Sequence, residues 1–247
     1  ENERWLALAE ERWGVSAAIV VGIVGVETIF GRNTGGFRVL DALATLSFDF
    51  PDAHPRAAER RAFFRGELEQ FLSLMDRTGT DPHAPRGSYA GAMGLGQFMP
   101  TSFVKWAVDE NADGMIDLWT SPDDILASVA NYLRDHGWVN GEPVTVPMVP
   151  GPSARRLRDT GLDPIFPLSQ LVEWGYQPPA GSAIAPEQPS NLLMLEVADG
   201  EFGYYAIFGN FRVITRYNRS PMYAMAVYDL GQAIASQVTG ASVKNDR

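Results

Sequence analysis

The chain has no cysteine, and that absence removes disulfide staples, thiol nucleophiles and zinc-thiolate centres together. It leaves the redox compartment open. Histidine is nearly as scarce: the three present, at 54, 83 and 136, stand at no metal-ligand spacing, which gives histidine-based catalysis little support. No apolar run approaches the roughly 20 residues of a bilayer crossing, because the stretch from Ile19 to Ile29 is short and contains Glu27. The chain is therefore expected to be soluble. Positive charge is in deficit as well, and a net charge of −10 argues against a nucleic-acid partner and against simple adhesion to an anionic membrane. The absence of an initial methionine and of a signal-peptide pattern points to a mature or trimmed form.

What is present is ample core material: 247 residues, 45% of them hydrophobic, make one large domain or two small ones. The pattern is organised around a helix expected over Ser16 to Arg32, with Ser16 as N-cap. Val20, Ile23 and Val24 form an i, i+3, i+4 stripe, and Glu27 falls on its next position. Ile19, Val26, Ile29 and Phe30 make the other side apolar too, so the helix is expected to be buried nearly all round. A carboxylate there is either paired with an arginine such as Arg32 or Arg38, or kept as a functional acid. The helix C-terminus and apolar surroundings would both raise its pKa. Gly31 and Thr34-Gly35-Gly36 then lead into a loop able to lie beside a ligand.

Further helices are expected over residues 3 to 13, Val39 to Phe48 and Arg56 to Arg77. The front of the last carries Arg56, Arg60, Arg61 and Arg65, either a solvated face balanced by Glu59, Glu67 and Glu69 or an anion contact. Between Gly87 and Pro100, four glycines within ten residues argue against regular structure, while the intervening residues are too apolar for a linker. This block is either a tightly packed core loop or backbone placed close to a ligand, with Ser88 and Gln97 as hydrogen-bond donors and Tyr89, Phe98 and Met99 as a stacking surface. Such a mixture suits a saccharide, whose apolar faces are edged by hydroxyls.

Thr101 is expected to cap the next helix, which leads into Asp109-Glu110-Asn111-Ala112-Asp113-Gly114-Met115-Ile116-Asp117. Oxygens at positions 1, 3, 5 and 9, Gly at 6 and a carbonyl at 7 follow the start of an EF-hand calcium loop; a merely acidic turn is the alternative. Thr120 stands where the usual closing Glu belongs, leaving Asp123 or Asp124 to close the site, Asp124 being favoured. Ser121-Pro122 opens a helix carrying Tyr132. Residues 140 to 189 are rich in Pro and Gly, with a strand at Val144 to Val149 and a helix near Leu168 to Trp174. A period of two then predicts antiparallel strands over Leu192 to Val197, Phe202 to Phe208 and Phe211 to Arg216, turning at Asp199-Gly200 and Gly209-Asn210. A helix from Ser220 to Val238 closes the chain, with a disordered tail over 241–247.

Several stretches together resemble the membrane-bound lytic transglycosylase B family and its soluble relatives, bacterial enzymes that cut peptidoglycan glycan strands. They are Val24-Gly25-Val26-Glu27-Thr28 with Phe30-Gly31, Leu40 to Phe48, Gly66-Glu67-Leu68-Glu69, Ser88 to Pro100, Ser128 to Tyr132 with His136-Gly137-Trp138, Ile214 to Asn218, and Tyr223 to Val227. The resemblance implies an α+β, mainly helical fold, a lysozyme-like helical core with a small antiparallel β-sheet and an EF-hand-like calcium loop. Residues 1–139 and 217–240 would form the core, and 140–216 the β subdomain.

By the same resemblance Glu27 is the single catalytic glutamate, Ser88 and Gln97 contact substrate, and Tyr132, Tyr217, Asn218 and Tyr223 line the cleft. The family's paired arginines match Arg60 and Arg61 or a one-residue shift of them. Structural calcium would be held by Asp109, Asn111, Asp113, the Met115 carbonyl and Asp124. The partners implied are peptidoglycan glycan strands, with other cell-wall enzymes as further candidates, and the location a bacterial periplasm, soluble or anchored through a segment not present here. The reaction implied is non-hydrolytic cleavage to a 1,6-anhydro sugar. A hydrolysing lysozyme on the same scaffold and a noncatalytic peptidoglycan-binding module are the alternatives.

Overall fold

A computed structural model of the protein describes residues 3–155 and 160–245. The chain forms two units, one from Glu1–Tyr132 with Leu230–Arg247 and one from Leu133–Asp229. The division puts Leu133 to Val139 and Tyr217 to Asp229 with the sheet-bearing unit, where the family resemblance implied a place in the helical core. Hydrogen bonding explains part of this: the Asn210 side chain, fully buried, donates to the carbonyls of Val139 and Glu142 and accepts from the Val139 amide, tying the 139–142 turn to the second unit.

The first unit contains α1 (Glu3–Trp13), α2 (Ala17–Thr28), β1 (Phe37–Arg38), α3 (Val39–Phe48), α4 (Ala57–Thr78), β2 (Arg86–Gly87), α5 (Pro100–Trp106) and most of α6 (Pro122–Asp135). α1 packs on α2, α3 on α4, and α4 on α5. Ile19, Ile23, Leu43, Phe64, Phe71, Met93 and Leu118 are fully buried among them. A β-carbon at Gly25 would lie 2.6 Å from Leu230 Cδ2, so glycine lets α2 approach its packing partner closely.

α2 differs from expectation in two ways. Ser16 makes no side-chain cap; its carbonyl instead accepts the Ile19 and Val20 amides. The helix also stops at Thr28 rather than Arg32, because Ile29 and Phe30 turn left-handed with φ of 52° and 55°. At α5 the expected Thr101 cap is likewise absent. Proline fills the first helical position, and the Thr101 amide donates across to the buried Glu67 carboxylate at 2.8 Å.

In the second unit a five-stranded antiparallel sheet has the order β4-β6-β7-β3-β5, with β3 at Thr145–Pro150, β4 at Phe166–Pro167, β5 at Tyr176–Gln177, β6 at Pro189–Ala198 and β7 at Glu201–Ile207. The β6–β7 hairpin pairs Leu193 with Tyr205 and carries an irregularity between Glu196 and Ala198, next to Gly200 at φ 73°. α7 (Leu168–Glu173) packs on β6, and Leu168 and Leu171 join a core with Met148, Tyr176, Leu192, Ala206 and Phe208.

The strand expected over Phe211 to Arg216 is a helix, α8 (Gly209–Tyr217). Its β-branched and aromatic content reads as strand, but burial of Asn210, Phe211, Val213, Ile214 and Thr215 follows a helical face, and Asn210 opens the helix where a hairpin turn was expected. α9 (Pro221–Asn245) runs on past Gly240, where a disordered tail was expected, with no proline to stop it; positions 246 and 247 lie outside the described residues. No helix among the described residues is long and apolar enough to cross a membrane.

Candidate active site

Glu27 lies one residue from the end of α2 and is half-buried, not enclosed. The buried stripe of the helix runs Val20, Val24, Thr28, at strict i, i+4 spacing, so Thr28 takes the core position and Glu27 is rotated to its edge. Of the two arginines considered as partners, Arg38 forms an ion pair with Asp41 at 2.7 Å, and Arg32 is exposed.

The glycine-rich block folds back against this helix end. Thr28 Oγ1 lies 3.1 Å from the Leu95 carbonyl, and Gln97 Nε2 donates to the Thr34 carbonyl at 3.1 Å and the Gly94 carbonyl at 2.9 Å. β1 pairs with β2, setting Phe37 opposite Gly87, and at Gly35 an added β-carbon would lie 2.1 Å from the Gly87 carbonyl oxygen. Gly94, at φ 69°, would bring one to 2.4 Å from the Leu118 carbonyl oxygen. The block is tightly packed, and it sets Leu95 against the end of α2 and Gln97 against the loop that follows.

The side chains of the block divide by burial. Ser88 Oγ accepts the Ala90 and Ala92 amides at 3.2 and 3.0 Å, and its own proton remains a donor. Gln97, expected as a donor, spends its amide N–H groups on backbone carbonyls, which leaves Oε1 as an acceptor. Tyr89 is 73% exposed. Phe98 is 2% exposed and packs inward, tilted 5.9 Å from the Tyr132 ring, so it serves the core and presents no stacking face. Tyr132 is buried too, edge-on to Trp106 at 4.9 Å.

The other predicted residues sit as follows. Arg61 donates to Asp52 at 2.6 Å and to the Phe50 carbonyl, while the Arg60 guanidinium lies over Phe64 at 4.9 Å and near Phe63 and Phe50. Tyr217 ends α8, Asn218 follows it exposed, and Tyr223 is half-buried in the first turn of α9, all in the second unit. Phe37, 59% exposed beside the Gly87 to Tyr89 stretch, received no role from sequence, since a two-residue strand has no readable period. A separate cavity of about 260 Å³ adjoins α2, lined by Leu6, Val21, Val24, Phe30, Leu95 and Ile125 among others; Glu27 does not line it.

In the acidic loop the Asp109 carboxylate accepts the Asp113 and Gly114 amides, Asn111 Oδ1 the Asp113 amide, and Asp113 Oδ1 the Met115 amide. Asp124, fully buried, accepts Glu110 N–H on one oxygen and Asp117 N–H on the other, both at 2.9 Å, whereas Asp123 accepts the Ser121 hydroxyl. Burial pushes the Asp117 carboxyl up, but bonds from the Thr120 hydroxyl and the Trp119 and Thr120 amides outweigh it and hold its pKa below the ordinary value. The donors are hard oxygens with lone pairs to spare, which suits calcium. The carboxylates are not gathered for it: among the described residues no three His, Cys, Asp or Glu are grouped to hold an ion.

Residues 1–232 match the family described as the transglycosylase SLT domain. Over 237 residues, 95% of this chain, the sequence is 46% identical to the membrane-bound lytic murein transglycosylase B of Escherichia coli (strain K12), and it spans only 61% of that relative's length. The fold is similar to that of the soluble lytic transglycosylase SltB1 from Pseudomonas aeruginosa, with a TM-score of 0.85 and 46% identity over 96% of this chain and 76% of that one. It is also similar to the Escherichia coli lytic transglycosylase Slt35 in complex with calcium, with a TM-score of 0.85 and 44% identity over 96% of this chain and 71% of that one.

Proposed function

The chain belongs to the transglycosylase SLT domain family, and from that premise we propose that it is a peptidoglycan lytic transglycosylase with Glu27 as its one catalytic acid and base. The observation that carries the reading is a half-buried glutamate at the end of a helix whose next residue, Thr28, is hydrogen-bonded to Leu95 of the glycine-rich block. Murein is the substrate named for the Escherichia coli relative. Glycosidases ordinarily need two carboxylates. Here Asp41 is paired with Arg38 and Asp49 is exposed at the end of α3, which favours chemistry that uses one.

In that chemistry Glu27 donates its proton to the glycosidic oxygen as the bond from C1 of N-acetylmuramic acid to O4 of N-acetylglucosamine breaks. The 2-acetamido oxygen of the sugar stabilises the positive charge at C1. The sugar's C6 hydroxyl then attacks C1 and gives its proton back to Glu27, forming the 1,6-anhydro ring without water. Ser88 offers a donor, Gln97 Oε1 an acceptor and Tyr89 a ring face to the glycan. Tyr132, Tyr217, Asn218, Tyr223 and the Arg60 and Arg61 pair complete the proposed contacts, and the bacterial periplasm is the proposed location.

Calcium, named for one structural relative, is proposed as a structural ion. Asp109, Asn111, Asp113, the Met115 carbonyl and Asp124 would hold it, and its charge would offset that of an acidic loop.

Replacing Glu27 by Gln keeps the shape and removes the proton. We expect folded protein that binds glycan strands and releases no sugar. Mass spectrometry of the wild-type digest should give a product one water lighter than the hydrolysed sugar. Cleavage by Glu27→Gln would refute the assignment, and a hydrated product would make the protein a lysozyme.

A further inference from the structure

Thr28 is fully buried, at a core position where packing alone would be met by valine. Its hydroxyl oxygen lies 3.1 Å from the Val24 carbonyl, 3.1 Å from the Leu95 carbonyl and 3.1 Å from the Gly31 amide, which it accepts. The Val24 contact is the ordinary back-bond of a helical threonine. The Leu95 contact joins residues 67 apart in sequence, the single hydroxyl proton being shared between the two carbonyls.

Leu95 is itself fixed, because its amide donates to the Leu118 carbonyl at 2.8 Å. The Thr28 carbonyl adds a fourth tie by accepting the Asn33 amide at 2.9 Å. Between these anchors the chain passes through Ile29 and Phe30 at φ of 52° and 55°, a left-handed pair without glycine, the first of them β-branched. Such backbone persists only where its surroundings over-determine it, and it clusters at functional sites.

We propose that Thr28 is a positioning residue for the reaction: its hydroxyl holds the end of α2 to the Leu95 carbonyl and so sets the place of the Glu27 carboxyl against the glycine-rich block. The inference rests on the lytic transglycosylase reading. Glu27 shares a peptide bond with Thr28, so it moves with that anchor. A misplacement of about 1 Å in a reacting group can cost on the order of 10²-fold in rate.

The test is steady-state release of anhydro sugar from purified glycan strands by Thr28→Val, which keeps the branched shape and removes the hydroxyl, and by Thr28→Ser, which keeps the hydroxyl. Circular dichroism at the assay temperature confirms folding. For Thr28→Val we expect kcat to fall about 10²-fold with KM within about threefold of wild type, since the lost tie serves the transition state and not ground-state binding. Thr28→Ser should recover kcat to within about threefold. If Thr28→Val does not fold, Thr28→Ala carries the same comparison.

Wild-type kcat in Thr28→Val, or a serine variant as slow as the valine one, would overturn the role while leaving the lyase reading intact. Loss of fold in both Val and Ala variants would make Thr28 a residue of stability alone and overturn it too. A folded wild type that releases no anhydro sugar would overturn the lyase reading and this role with it.

Discussion

Two glycines with nearly equal backbone angles isolate what the glycine-rich block contributes to the fold. Gly94 has φ 69° and Gly79 has φ 64°, so alanine at either meets the same left-handed penalty, about 1–2 kcal/mol. The surroundings differ. Around Gly79, at the C-terminus of α4, nothing lies within 4 Å of an added β-carbon. At Gly94 that carbon would lie 2.4 Å from the Leu118 carbonyl oxygen, 2.7 Å from its Cβ and 2.9 Å from its carbonyl carbon.

Relief of this contact to 3.0 Å requires the Leu118 carbonyl to retreat by about 0.6 Å. The same carbonyl accepts the Leu95 amide at 2.8 Å, and a retreat of that size takes the bond to roughly the limit of useful geometry. Leaving a buried backbone group unpaired costs roughly 1–3 kcal/mol. Gly94→Ala should therefore be about 2 kcal/mol less stable than Gly79→Ala, or roughly 4–8 °C lower in melting temperature for a chain of this size. Melting curves of the two variants under one buffer and scan rate check it. Melting temperatures within about 1 °C of each other would refute the reasoning, because the clash would then relax without loss of the Leu95 bond.

Other perturbations read other parts of the molecule. Asn210→Leu removes three bonds to the 139–142 backbone from a fully buried site, and should cost roughly 3 kcal/mol, read as a lower urea midpoint with unchanged m-value. Asp117 has a depressed pKa, so its stabilisation is present above the ordinary value of 3.8 and is lost as pH falls through its lower folded value. Urea unfolding from pH 5 to pH 2 should then fall less steeply in Asp117→Asn than in wild type; equal slopes would remove Asp117 from the acid response. Chelation of calcium should lower the melting temperature, since an ion bound only by the folded chain stabilises it by about 2.7 kcal/mol at 100 times its Kd. An unshifted melt would count against a tight site.

How far the sequence could be read depended on whether the interactions were periodic or particular. α1 and α3 follow their expected ranges because several apolar residues repeat at helical spacing in each. α8 failed because six consecutive residues rich in Phe, Val, Ile and Thr carry strand propensity, and only the burial of Asn210 with its partners turns them helical. Both expected hydroxyl caps failed for one reason: a backbone carbonyl at Ser16 and a distant carboxylate, Glu67, for the Thr101 amide did the work assigned to local side chains. At the site, Glu27 was visible as an acid in apolar company. That Thr28 and not Glu27 holds the core position follows from a rotation of one residue about the helix axis, which a stripe of three residues does not resolve. Phe98 was assigned to a ligand surface because a glycine-rich block has no period from which to tell inside from outside.

The parts that escaped the sequence share a feature that bears on the chemistry. The ties at the end of α2 run largely through backbone groups: the carbonyls of Leu95, Thr34 and Leu118, and the amides of Gly31 and Asn33. Leu95 stands where they meet, accepting from Thr28, donating to Leu118 and packing against Gly31, where an added β-carbon would lie 3.3 Å from its Cδ2. The proposed reaction through one carboxyl group would call for such fixing. A pair of carboxylates can divide proton donation and charge stabilisation between two places, but a lone acid must first reach the leaving oxygen and then the attacking hydroxyl from a single position. Side chains have rotamers to lose, and backbone groups held by glycine at close approach have few. If Glu27 is the reacting acid, as proposed, the close contacts of Gly35 with Gly87 and of Gly94 with Leu118 limit how far the segments tied to the end of α2 can move.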